Sequence, residues 1–273
     1  MGAEHYEPTA EGLLRLLERL RAPNGCPWDR AQTRETLGRS LAGEEAAEVL
    51  DAIDRGDASA ICDELGDVLM NALFQIVLAR EKGEFTAEDV FGGVIAKMIR
   101  RHAHIFGDEK AETPEEVTAV WRKVKEAEQA GSAAPESILD KVPHSLSALD
   151  RAEKLQKRAA KVGFDWSDEA GILAKIEEEL GELKEAMASG RSEEIDAELG
   201  DLLFAASNLV RFRGGRTSEE LLRQTNRRFE GRFRFIEREL AREKIPLESA
   251  GIERMEALWC EAKRHEREER TEP

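Results

Sequence analysis

Four acidic residues occur twice in this chain at one spacing. Glu45, Glu48, Glu64 and Asp67 are repeated as Glu179, Glu182, Glu198 and Asp201, each 134 positions later. A repeat that keeps four carboxylates in register points to an internal duplication. Any fold for this chain has to build the same acidic arrangement twice.

Helix geometry gives the repeat its chemical sense. Residues three apart lie on one face, a turn apart, so each pair directs two carboxylates the same way. The setting is apolar. Ile195, Glu198, Leu202, Ala205 and Leu209 fall at spacings of three and four, the stripe that a helix buries. Ile61, Glu64, Val68 and Ala72 repeat it, and Glu45 and Glu48 stand beside Leu41, Val49 and Ala52. A carboxylate facing a core costs several kcal/mol, on the order of a buried unpaired charge, unless it is compensated. Four on neighbouring helices repel, so a cation has to join them, and an all-oxygen ligand set selects a hard divalent ion such as Mg²⁺ or Mn²⁺. A single Glu-x-x-Glu carries no such weight. With 57 Asp+Glu in the chain, Glu182/Glu185 and Glu266/Glu269 share the spacing as solvated helix faces. The in-register repeat and the apolar stripes separate the two quartets from these.

At 273 residues the chain accommodates two ordinary domains. Charged residues make up 36% and aromatics 5%, and Gly and Pro are sparse inside the periodic segments, which predicts an all-α protein. No strand-period alternation and no glycine-rich phosphate loop after a strand occurs, so nucleotide folds of the Rossmann or P-loop type are unsupported. The formal charge of −16 argues against a nucleic-acid surface. Cys26, Cys62 and Cys260 are odd in number and form no Cys-x-x-Cys, which supports neither a disulfide framework nor a thiolate zinc site. No apolar run reaches membrane-spanning length and the N-terminus has no signal pattern, so no membrane association and a cytoplasmic location are expected.

The chain reads as an N-terminal helical domain over 9–129, a linker over 130–145 containing AGSAAPES, and a C-terminal helical domain over 146–267. In the first, helices are predicted over 9–21, 34–55, 58–82, 86–104 and 114–129. In the second they are predicted over 146–161, 168–188 and 192–213, then in a basic helix opening at Thr217, and over 252–267. The loop GCPW holds Trp28, which stacks on a planar base or plugs an end of the bundle, and Trp166 in VGFDW is its counterpart. Each domain then offers two acidic helices followed by a basic one, with Lys97, Arg100 and Arg101 in the first and Arg223, Arg227, Arg228 and Arg232 in the second. Carboxylates hold metal, and cations spaced by three or four hold phosphate oxygens. Together they imply phosphoryl chemistry by an activated water. The long apolar stripes on both acidic helices also predict a dimer that completes each bundle across a two-fold axis.

The segments GCPWDRAQT, EEAAEVLDAI, DELGDVL and RRHAHIF, with LQKRAAKVGFDW, KIEEELGEL, AELGDLLFAASNL and RRFEGRFR, closely resemble the MazG family of nucleoside triphosphate pyrophosphohydrolases, in order and over nearly the whole chain. The resemblance implies a four-helix-bundle-like fold in each half and a homodimer. It also implies Mg²⁺-dependent hydrolysis of NTPs and dNTPs to the monophosphate and pyrophosphate, in nucleotide-pool housekeeping or a stress response. Carried over, Glu179, Glu182, Glu198 and Asp201 are the metal ligands, and Lys175, Glu178 and Asn226, Arg227 and Arg228 contact the nucleotide. Gln224 and Glu194 depart from the pattern, since lysines are found at those places, and both remove positive charge from the phosphate side. Lys175 stands four residues before Glu179, where its first-copy counterpart by subtraction is Leu41. The C-terminal domain is therefore expected to do most of the catalysis. Two other classes use similar residues. A carboxylate di-iron or di-manganese site pairs Glu with His at i+3, and none of the five histidines meets that spacing. A non-enzymatic acidic helical scaffold leaves the polar groups on core stripes unexplained.

Overall fold

A computed structural model describes residues 5–129 and 137–269, so most of the AGSAAPES stretch lies outside the described residues. The regular structure of the described residues is all helical, and the chain divides into two compact units, 1–132 and 133–273. The first unit runs α1 (Ala10–Arg21), α2 (Pro27–Ala31), α3 (Arg34–Ser40), a π turn (Leu41–Glu45), α4 (Ala46–Arg55), α5 (Ala58–Glu81), α6 (Ala87–Arg101), α7 (Ala103–Phe106) and α8 (Pro114–Gln129). The second runs α9 (Ala148–Ala160), α10 (Glu169–Ser189), α11 (Ser192–Arg213), α12 (Ser218–Glu243), a 3₁₀ turn (Leu247–Ser249) and α13 (Gly251–Glu269).

Each unit is built on a helical hairpin, α4–α5 in the first and α10–α11 in the second. Both hairpins turn on a glycine in the left-handed region, Gly56 at φ 69° and Gly190 at φ 71°. These positions are again 134 apart, and a side chain there would be strained. The helices beyond the turns start differently. Asp57 caps α5 by accepting from the backbone N–H of Ser59 and Ala60, whereas Arg191 at the same place offers α11 no side-chain cap. Elsewhere the caps follow the sequence signals: Thr86 with Asp89 and Thr217 with Glu220 form capping boxes at α6 and α12.

The first unit's core joins Leu14 and Leu17 of α1, Leu37 of α3 and Leu73, Phe74, Ile76, Val77 and Leu78 of α5. In the second unit α9 and α10 pack on α11, burying Ile172, Leu183, Ala186 and Ala205. Ile236 and Leu240 of α12 form a second cluster with Leu258 of α13, flanked by Phe233 and Trp259. Much apolar surface stays uncovered. On α6, Val90, Phe91, Val94, Ile95, Met98 and Ile99 are 38–57% exposed, and on α11 Leu199, Leu203 and Phe204 are 44–62% exposed.

Two predicted helices differ in the structure. The helix expected over 34–55 contains a π turn at Leu41–Glu45, so its acidic residues sit on a widened coil. The helix expected over 86–104 breaks at His102, whose φ and ψ of −102° and 45° leave the helical region.

Candidate active site

In the second unit, Asp168 caps α10 by accepting from the Gly171 N–H at 3.0 Å, and α10 then runs uninterrupted past Glu179 and Glu182. Glu198 comes from α11 across the hairpin. One carboxylate oxygen from each of the three lies within 4.8 Å of the others. Glu179 is buried at 5% exposure, Glu198 half-buried and Glu182 exposed. The burial of Glu179 is answered by Lys175, whose Nζ lies 2.7 Å from Glu179 Oε1 and donates at 2.7 Å to Glu178 Oε1. These two hydrogen bonds push the Lys175 ammonium well above its ordinary pKa. Partial desolvation, with Glu179 and then Glu198 nearby, raises the Glu182 carboxyl. Three crowded oxygen donors, one of them buried, fit a small hard divalent cation.

The first unit gathers Glu45, Glu48 and Glu64 in the same way, within 4.8 Å. Desolvation and the charge of Glu48 raise the Glu64 carboxyl. Its support is neutral. Ser40 Oγ donates to Glu45 Oε1 at 2.7 Å, and Asn71 Nδ2 donates to the same oxygen at 3.0 Å. Asn71 is 2% exposed and its Oδ1 has no partner. Two of the three cations on the first unit's basic helix are also engaged: Arg100 and Arg101 both donate to Glu128 of α8, at 2.7 and 2.8 Å.

Each predicted quartet is thus a triad and an outlier. Asp67, half-buried, and Asp201, exposed, are not drawn into the groups. Each sits one turn further along its helix, about 4.5 Å of rise, on a shorter side chain than glutamate. On α12, Asn226, Arg227 and Arg228 are exposed, Arg228 donates to Thr225 Oγ1 at 2.9 Å, and Gln224 Oε1 accepts from Arg216 at 2.7 Å. Glu194 pairs with Arg191.

A cleft of about 530 Å³ opens between α9 and α11, lined among others by Gln156, Phe164, Trp166, Phe204, Asn208 and Arg211. Trp166, 42% exposed, is seated on the start of α10. A Cβ at Gly171 would stand 2.7 Å from its Cε3, so the glycine admits the ring. Arg211 holds the other edge. Its guanidinium makes two hydrogen bonds to Asp165 and its Nε donates to Asn208 Oδ1 at 2.8 Å, and the guanidinium holds Asp165 below the usual carboxylate range. Gln156 ties the two helices by donating to the Phe204 carbonyl at 2.9 Å. Asn208 lies seven residues after Asp201, two turns along one face of α11.

The family model for the MazG nucleotide pyrophosphohydrolase domain matches residues 32–106 and 168–234. Each match encloses one of the two triads. The chain belongs to the MazG family. It is 42% identical over 257 residues to a nucleoside triphosphate pyrophosphohydrolase of Escherichia coli strain K12, covering 93% of this chain and 97% of that protein. It is 40% identical over 253 residues to the nucleoside triphosphate pyrophosphohydrolase/pyrophosphatase MazG of Thermotoga maritima, covering 93% and 95%. Around its MazG triads, sequence reasoning passed over Ser40, Asn71 and the Asp165–Arg211 pair. Asn71 had a signal: it lies seven residues after Glu64 on the same face, where the second copy has Ala205.

Proposed function

We propose that the C-terminal unit hydrolyses ribo- and deoxyribonucleoside triphosphates to the monophosphate and pyrophosphate. The observation that carries this reading is the buried Glu179, gathered with Glu182 and Glu198 in a MazG-family chain. In it, Glu179, Glu182, Glu198 and Asp201 would hold Mg²⁺, with Mn²⁺ as the alternative. A divalent ion so held supplies Lewis acidity and a water of lowered pKa. Lys175, a turn before Glu179, is placed to exchange its carboxylate partner for a phosphate oxygen, with Glu178 orienting the ammonium. Gln224, Asn226, Arg227 and Arg228 serve the nucleotide from α12, and Trp166 offers a ring face to the base at the cleft. The names of the E. coli and T. maritima relatives support the substrate class.

The reading extends to assembly. A contiguous apolar face such as that of α6 marks an interface, which supports a homodimer whose helices complete each bundle. The division of the chain at 132/133 supports domains over 9–129 and 146–267 joined by 130–145. The first unit's triad, Glu45, Glu48 and Glu64 with Asp67, binds metal but contributes little turnover. No described helix is long and apolar enough to cross a membrane, and a cytoplasmic nucleotide-pool role follows from the substrates. The test is pyrophosphate release from a panel of NTPs and dNTPs with Mg²⁺, with Mn²⁺ and with EDTA. Release of orthophosphate in place of pyrophosphate, or turnover unchanged in EDTA, would sink the reading.

A further inference from the structure

The cleft uses one face of α9, through Leu155, Gln156 and Ala159. Another face of α9 carries a cluster of cations. Lys154, Lys157, Arg158 and Lys161 stand at i, i+3, i+4 and i+7, so all four project together. With Lys141, from the segment ahead of α9, they line a groove of about 170 Å³ that contains Val142, 2% exposed. Among the described residues no carboxylate lines this groove. Among the described residues none of the four α9 cations has an ion pair, although helical spacing offers Asp150 to Lys154 and Glu153 to Lys157. Glu153 instead accepts a hydrogen bond from the Ser218 backbone N–H. Like charges stacked a turn apart destabilise a helix. The chain holds 57 acidic residues against 41 Lys+Arg, so a solvated face of ordinary composition would have placed carboxylates here.

We infer that this groove binds a compact polyphosphate anion, the phosphate chain of inorganic pyrophosphate or of a nucleotide. The ammonium groups supply point charges and Arg158 a planar fork that matches phosphate oxygens. Orthophosphate carries too little charge to answer the four α9 cations at once. A long nucleic acid would bring its backbone against a chain of net charge −16. The inference does not depend on the hydrolytic reading, because the groove and the triad share no residue.

The test is calorimetric titration of the full-length protein with inorganic pyrophosphate in EDTA, which removes metal-dependent binding. The wild type is expected to bind, and Lys157→Ala/Lys161→Ala to weaken binding by at least about tenfold, the effect of losing charge-assisted contacts. Both side chains are exposed, so an unchanged melting temperature is expected, and Lys154→Gln repeats the test with a milder change. Lys263→Ala/Arg264→Ala, an exposed cation pair on α13, is expected to leave the affinity alone. Orthophosphate is expected to bind at least about tenfold more weakly. Competition by a metal-free nucleoside triphosphate assigns the groove to nucleotide tails, and lack of competition assigns it to the inorganic anion. No binding by the wild type, equal affinity for orthophosphate, or an equal loss in the Lys263/Arg264 variant would overturn the inference.

Discussion

The two acidic triads are alike in their carboxylates and unlike in what stands behind them. In the second unit a lysine neutralises the buried glutamate, and the helix that carries both is regular. In the first, a serine hydroxyl and a buried amide do that work from a π turn, and the arginines of the basic helix are bound to Glu128. Neutral donors satisfy a carboxylate but add no charge that a triphosphate could use. On the proposed reading, the two copies thus share their carboxylates and differ in the charge placed behind them.

The sharpest way to break this comparison is to remove the same ligand from each copy. Glu198→Gln is expected to lower pyrophosphate release by at least about a thousandfold, roughly 4 kcal/mol of transition-state stabilisation, and Glu64→Gln by about twofold at most. A dead Glu64→Gln beside an active Glu198→Gln would reverse the assignment of the active unit. The next test converts the second copy toward the first. Lys175→Leu is expected to cost about 2–4 kcal/mol, a hundredfold or so in kcat/KM. Metal-induced stabilisation should survive in this variant, which a thermal melt with and without Mg²⁺ measures.

The neutral support of the first triad can be probed without touching turnover. Asn71→Ala leaves a cavity behind Glu45 and removes a donor, at about 1–3 kcal/mol of stability. Denaturant unfolding gives that number, and a parallel loss of activity would show that the first unit takes part in catalysis. The smallest effect concerns the Asp165–Arg211 pair, whose arginine subtraction matches to Val77 in the first copy. Asp165→Asn should destabilise by about 1–2 kcal/mol near neutral pH. Because the Arg211 hydrogen bond depresses the Asp165 pKa in the folded state, the contribution is present above the unfolded value of about 3.9 and fades as pH falls through the folded one. The gap in Tm between wild type and variant should thus be full at pH 6, begin to narrow near pH 4, and close only as pH falls further through the depressed folded pKa. A gap that persists in acid would mean that Asp165 acts by packing.

Sequence alone carried the helical class, the duplicated hairpin and the three glutamates of each triad, because spacing on a helix translates directly into a shared face. It carried less where tertiary context decides. Asp67 and Asp201 fit the spacing as well as their neighbours do, but reach depends on side-chain length and rotamer. Ser40 and Asn71 are ordinary residues by type, and only the packing of α3 and α5 shows that both meet one oxygen. Asp165 and Arg211 are 46 residues apart, too far for any local rule to join them. The His102 break has no strong breaker in the sequence to announce it.

The π turn at Leu41–Glu45 has a consequence for how the two halves are read against each other. A π turn holds one residue more than an α turn, so upstream of it the first copy is rotated out of phase with the second by about 100°, one residue's step on a 3.6-residue helix. The residue a full turn above Glu179 is Lys175, four back; the one above Glu45 is Ser40, five back, and it is Ser40 that makes the contact. The constant offset of 134 therefore pairs Lys175 with Leu41 in the alphabet but with Ser40 in space. A lysine grafted at position 41 would point past the triad, and a cation meant to stand behind Glu45 belongs at position 40.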